Sequence, residues 1–163
     1  MLKRLDKSLW LLPIGLFLLA EITLCGFYFA NDSLLIAAIG PSTRKDLYSS
    51  LTGSSAALLG FVLAAVTILA SFGLRDTKSA ESHRREVRMT SARTIIVKCL
   101  LATAALLMLI LICATVGLAI DVKKHGNIGL TSLTASASFG SLVGILVSGG
   151  GLTLAVMERN VNP

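Results

Sequence analysis

Residues 100–120, LLATAALLMLILICATVGLAI, run for twenty-one positions without one charged side chain. At about 1.5 Å per helical residue such a run reaches roughly 30 Å, the thickness of the hydrocarbon core of a bilayer. A chain that carries it must hide it from water in protein or in lipid. Three more predominantly apolar runs accompany it, at about 9–30, 50–74 and 131–156, and it is itself part of a third in chain order that extends over about 94–120. With 54% hydrophobic residues and a mean hydropathy of +0.80, the chain has too little polar surface to cover a soluble core of its size. Spanning β-strands would alternate in segments of about 10 residues, and these runs do not. The sequence therefore predicts an all-α, polytopic membrane protein: a four-transmembrane-helix bundle forming a single membrane domain over residues 1–163, with no internal repeat.

Lys and Arg in the connections set the expected orientation. Lys3, Arg4 and Lys7 precede the first span, Arg75, Lys78, Arg84, Arg85, Arg88 and Arg93 fill the second connection, and Arg159 follows the last span; Arg44, Lys45, Lys123 and Lys124 are left for the other side. The bias places both termini and the second connection in the cytoplasm. It also accounts for most of the formal net charge of +6, so the charge carries no expectation of direct DNA or RNA binding. The basic N-terminus followed by an apolar run is similar in layout to a signal peptide, but no small-x-small cleavage site follows it, and an uncleaved first helix is expected.

Trp10 and the group Phe27, Tyr28, Phe29 mark the two ends of the first helix, about 27 Å apart from Trp10 to Tyr28. NDSLLIAAIGP, residues 31–41, reads as a short interfacial helix ended by Gly40-Pro41. Thr43-x-x-Asp46 reads as a capping box opening the second helix, with Tyr48 at the outer interface. In that helix Ala56, Gly60 and Ala64 recur every four residues, a small-xxx-small face on which another helix can pack closely. The second connection, residues 75–93, lacks Gly and Pro and pairs Glu81 with Arg85 at helical spacing, so it reads as a basic helical extension of the third span. Lys98 sits where its stem can snorkel to the headgroups. Cys25, Cys99 and Cys113 all fall inside spans, have no CxxC spacing, and read as packing residues.

The fourth run is unlike the others. Of the twenty-one residues in TSLTASASFGSLVGILVSGGG, fourteen are Gly, Ala, Ser or Thr. Thr134, Ala137, Ser141, Gly144, Ser148 and Gly151 recur at alternating steps of three and four, which keeps them on one face. That face should meet protein or water and not lipid. It suits close helix packing, and equally a hydrated path between subunits in which hydroxyls replace part of an ion's hydration shell. Gly149-Gly150-Gly151 offers a bend, a gate or a frayed end.

Glu21 is the acidic residue well inside a predicted span, where an ionised side chain is expensive unless it faces the bundle interior, a cavity or a partner. The words LLAEIT around it resemble the first-helix signature of small multidrug-resistance transporters, and by that resemblance Glu21 would couple protons to cationic substrates. A neighbouring helix that hydrogen-bonds Glu21 is the structural alternative. Arg84, Arg85 and Arg88, with His83 beside them, form the densest charge in the chain. They suit anionic lipid, and also a phosphate or carboxylate ligand such as a signal nucleotide or the acidic face of a cytoplasmic protein.

Phosphate loops, GxSxG, HExxH and metal-ligand clusters are missing from the sequence, so neither catalysis nor a cofactor or metal is expected. The stretch LYSSLTGSSAALLGFVLAAVTILASF followed by a basic helical connection resembles small four-helix bacterial inner-membrane proteins that serve as effector or sensor subunits of antiviral defence systems. That resemblance implies a multi-pass homo-oligomer of the inner membrane that permeabilises or senses it, under control of a soluble partner or a signal nucleotide. Three functions follow as expectations. The first is a homo-oligomeric channel or membrane-permeabilising effector in which the fourth helix supplies the permeation path and the arginine cluster receives the cytoplasmic signal. The others are a non-conducting scaffold that recruits a partner through residues 75–93, and a small proton-coupled transporter using Glu21.

Overall fold

The structure is a computed structural model that describes the backbone of residues 9–31, 39–71, 80–120 and 127–161 and the side chains of 10–30, 39–69, 94–120, 127–151 and 153. A 3-10 turn at Leu9–Leu11 leads into α1, Leu12–Asn31; α2 is Pro41–Ser71, α3 is Ala80–Ile120 and α4 is Ile128–Val161. Each of the four contains a stretch long and apolar enough to cross a membrane: Leu12–Ala30, Pro41–Leu69, Thr94–Ile120 and Ile128–Gly151. The described residues are thus helical throughout apart from short connections, and their four apolar helices are consistent with a multi-pass membrane protein.

Local chemistry sets the helix starts. α2 begins at Pro41, whose fixed φ and missing N–H suit the first helical position, and the first backbone bond runs from Arg44 N to Gly40 O at 3.1 Å. Helix is therefore established nine residues before the apolar run expected from about 50 and two before Thr43, so Thr43 and Asp46 lie inside it, not in a capping box at its threshold. The hydropathy pattern concealed this turn because Arg44 and Lys45 interrupt it. α4 opens on Asn127, a residue type favoured at helix N-caps, whose carbonyl receives Thr131 N at 3.0 Å and lies 3.1 Å from the Thr131 hydroxyl. α4 continues as helix through Gly149, Gly150 and Gly151. Most of the expected interfacial helix, residues 32–38, lies outside the described residues, as do 72–79 of the basic connection. From residue 80 onward that connection is the first part of α3, which runs unbroken for 41 residues.

The helices do not close into a square. α3 and α4 form a central antiparallel pair; α2 packs on α3, α1 packs on α4 with a lesser contact to α3, and among the described residues α1 and α2 make no substantial contact. Burial follows this order, from 6% and 11% of the apolar windows of α1 and α2 to 39% and 44% of those of α3 and α4. The core runs along the central pair, where Leu100, Ala104, Leu107, Ile110 and Ala137 meet Val62 from α2. α1 begins, α2 ends, α3 begins and α4 ends at one pole, called here the near pole. There Lys98 of α3 reaches the Trp10 ring, 5.8 Å from its centroid, joining two residues that sequence had placed separately at one interface.

Hydrocarbon gives helices no hydrophobic reason to associate, so close contact and satisfied polar groups must hold them. Gly144 faces Thr103, Gly140 faces Leu106 and Gly151 faces Ile96, so steps toward the near pole on α4 are matched by steps toward the same pole on α3. At Gly140 three helices converge: a side chain there would meet Phe17 Cβ and Pro13 O of α1 at 2.9 Å and Leu106 of α3 at 3.0 Å. At Gly144 it would collide with Thr103, which is fully buried and whose hydroxyl is tied to Cys99 O at 2.8 Å. A β-branched side chain in a helix has little rotamer freedom, so Thr103 cannot swing aside. Gly144→Ala should therefore cost about 1–3 kcal/mol through overpacking. Gly60→Ala, where nothing stands within 4 Å, should leave stability unchanged or raise it by up to about 1 kcal/mol. Reversible unfolding in mixed micelles measures both, and equal effects would contradict this packing.

Candidate functional site

The polar constellation inside the spans is built from α1 and α4. Ser132 and Ser136 are one helical turn apart on α4, and both donate to the half-buried Glu21 of α1: Ser132 Oγ to Oε1 at 3.0 Å and Ser136 Oγ to Oε2 at 2.6 Å. They are 3% and 0% exposed, so their hydroxyls are committed to this contact and to their own helix. Each has a second acceptor at 3.2 Å, Gly129 O for Ser132 and Leu133 O for Ser136. Within α1, Cys25 Sγ lies 3.8 Å from Glu21 Oε1. Counted from Ile128, the two serines sit about 6 and 12 Å inside the far pole. Each oxygen of the carboxylate thus has one short donor.

The other hydroxyls of α4 mostly turn back on their own backbone, as Thr134 does to Leu130 O at 2.6 Å, Ser138 to Thr134 O at 2.7 Å and Ser141 to Ser138 O at 2.9 Å. The small-residue stripe is consumed inside the chain. Thr134, Ala137, Ser141, Gly144 and Ser148 are buried and Gly151 is half-buried. Cys99 of this seam points its thiol at Gly144 O, 3.9 Å away. The hydroxyl of Ser148 has no hydrogen-bond partner among the described residues.

The second small-residue face behaves oppositely. Ala56, Gly60 and Ala64 are exposed, with Gly53 and Thr67 beside them, and Gly53 and Gly60 have nothing within 4 Å of a built side chain. The buried residues of α2, Tyr48, Ser55 and Val62, fall on the opposite side of the helix, turned to α3. Phe61, 75% exposed, and Ile68 border the small face on one flank and Leu63 on the other.

Arg44, counted with an outer connection, and Tyr48, expected at the outer interface, are both buried against protein. Arg44 is 1% exposed, its Nη1 donating to Ile39 O at 2.6 Å, and Tyr48 is 2% exposed with its ring filling the space Gly117 leaves on α3. Tyr48 is thus a packing residue of the α2–α3 contact. It also lines a cleft of about 50 Å³ between α2 and α4, with Leu47, Leu51, Thr131, Thr134 and Ser138. Arg84, Arg85 and Arg88 occupy the first part of α3, and their side chains lie outside the described residues. Among the described residues no group of His, Cys, Asp or Glu is arranged to hold a metal ion.

Comparison of the chain with protein families, curated proteins and solved structures finds no match. The described residues form four helices, each long and apolar enough to cross a membrane, which is consistent with a multi-pass membrane protein, and any function is argued from the geometry above.

Sequence reasoning singled out Glu21 and missed Ser132 and Ser136. The readable signal was a pair of serines four residues apart next to, but off, the stripe of small residues. A double-mutant cycle on Glu21→Gln and Ser136→Ala should return a coupling of about 0.6–2 kcal/mol, the range of interhelical hydrogen bonds in membranes. Additive effects on unfolding in micelles would dissolve the pair.

Proposed function

We propose that the chain is the subunit of a homo-oligomeric channel or membrane-permeabilising effector of the bacterial inner membrane, non-enzymatic, with its termini and basic α2–α3 connection in the cytoplasm. The observation that carries this reading is the open face of α2. A helix that faced only lipid would have no use for a smooth track of Ala56, Gly60 and Ala64, whereas small residues let a second helix approach closely. The other such track, on α4, is filled by α3 and α1 of the same chain.

Subunits joined through identical or neighbouring faces of α2 would close into a ring. Such a ring would bring Thr67 and the flanking Ser50 and Ser54, all exposed, close to the axis. The path then runs between copies of α2, while α4 keeps each subunit whole. Arg84, Arg85 and Arg88 lie on a helix continuous with the membrane span of α3, so a ligand bound there would pull directly on a central helix. Anionic lipid, a signal nucleotide and an acidic cytoplasmic protein share the chemistry that Arg forks recognise.

Native mass spectrometry in lipid nanodiscs should return a closed oligomer, and liposomes holding the protein should pass small ions. Gly60→Leu should disperse the oligomer and abolish flux while the unfolding of the single chain stays within about 0.5 kcal/mol of the parent, as for exposed substitutions. A strictly monomeric protein, or flux indifferent to Gly60→Leu, would refute the proposal.

A further inference from the structure

The glycine contacts of the central pair carry a register that runs on toward the ends of both helices. Gly144 faces Thr103 and Gly151 faces Ile96, so a step of seven residues on α4 answers to a step of seven on α3 in the opposite chain direction. Such a step returns a helix to nearly the same face, the seam of a left-handed pair. Both helices continue past this contact without a break, α4 to Val161 and α3 back to Ala80. One further step sets Glu158 of α4 level with Met89 of α3, and the intermediate turn sets Ala155 level with Ala92. Two alanines abreast are what a close seam needs. Arg85 is one turn beyond Met89 on the same face of α3, and Arg88 adjoins Met89 on the flank.

We propose that Glu158 is the arginine cluster's own counter-charge: beyond the near pole α3 and α4 stay paired as a two-helix stalk, and Glu158 occupies between Arg85 and Arg88 the place that an external phosphate must take. The inference rests on the reading of that cluster as the receiver of an anionic signal. Glu158 is the first charged residue of α4, and it falls at a seam position. A charge at such a position sets register and partner when the facing helix offers the opposite sign.

The neighbouring charges leave the layer positive. Arg84, Arg85 and Arg88 of α3 and Arg159 of α4, which is level with Arg88, stand against Glu81, Glu86 and Glu158. Glu81 shares Arg85 from one turn away on its own helix. A single carboxylate in water holds an arginine weakly. A phosphate group carries more charge and more acceptor oxygens, and it suits two guanidinium forks at once. It therefore displaces Glu158 and parts the stalk, and because both helices are continuous with the central pair, the separation begins at the end of the glycine seam.

The test measures neither flux nor subunit number, so it can fail while the channel reading stands, and the reverse. The full chain in nanodiscs, carrying Ala92→Cys and Ala155→Cys, is oxidised with copper phenanthroline. Mass spectrometry of the peptides separates the new bridge within one chain from any bridge to Cys25, Cys99 or Cys113. The 92–155 bridge should form readily, and Thr90→Cys with Ala155→Cys, off the seam, should not bridge. Glu158→Arg should slow the 92–155 bridge about two- to fivefold, the range an exposed ion pair supports, and adding Arg85→Glu and Arg88→Glu should restore the rate. Glu158→Gln, a milder change, should act in the same direction as Glu158→Arg. Inorganic pyrophosphate should slow bridging more than sodium chloride of equal ionic strength, and the difference should vanish in Arg85→Gln with Arg88→Gln. Absence of the 92–155 bridge would refute the stalk, and a rate indifferent to Glu158→Arg would refute the counter-charge. Pyrophosphate acting no differently from chloride would refute displacement by phosphate.

Discussion

The contact of Gly144 with Thr103 decides where everything else in the molecule can sit. In water two apolar helices would associate with many side-chain combinations, but between lipid-facing helices the gain comes from backbone proximity and from polar groups that find partners. Gly144 removes a side chain at the point where Thr103 has its own hydroxyl tied down, so α3 and α4 can approach to a distance that other pairs of residues would forbid. Gly140 and Gly151 repeat the arrangement on either side. The pair so formed becomes the spine, and α1 and α2 are laid against its two flanks. Because α1 and α2 scarcely meet, the assembly is a row with open sides and not a sealed bundle.

That row gives the two small-residue faces opposite fates. A small face that finds a partner inside the chain is spent on holding the fold, and the α4 stripe is spent in this way. The face on α2 lies opposite the side that packs Tyr48, Ser55 and Val62 on α3, and among the described residues no helix covers it. Internal packing therefore uses the small face of α4 and leaves that of α2 open. A substitution at Gly144 meets Thr103 directly, whereas one at Gly60 meets nothing within the described chain.

How much of this was legible in the sequence depends on the range of the interaction. The spans were legible because hydropathy is a local sum: four apolar runs were expected, and each of the four helices carries a stretch long and apolar enough to cross a membrane. The spacing of small residues on α4 was legible for the same reason, since helical periodicity needs only neighbours along the chain. Which helix would fill that stripe was not legible, because α3, α1 and a sister subunit present the same requirement to a single sequence. Arg44 and Tyr48 misled through their chemistry. Both are ordinary surface residues by type, and the space Gly117 leaves for the Tyr48 ring and the Ile39 carbonyl beside Arg44 are contacts that local pattern does not reveal. Glu21 announced itself as a charge in the wrong place, but its donors were hidden among many serines and threonines.

The hydroxyls of α4 show why Ser132 and Ser136 differ from that background. A serine or threonine in a membrane helix can satisfy its hydroxyl on the carbonyl three or four residues back, and Thr134, Ser138 and Ser141 do so with nothing reaching across to another helix. Such residues add little volume and cost little, which makes them good packing material and poor evidence of function. Ser132 and Ser136 keep that backbone acceptor within reach and yet make their shorter bond to a carboxylate on another helix. Pure packing would have been served by alanine at both positions and an apolar residue at 21, with no charge to accommodate. The chain instead keeps a carboxyl group at 21 and gives each of its oxygens a hydroxyl from α4, so that α1 is fastened to the central pair by a polar contact as well as by the close packing at Gly140.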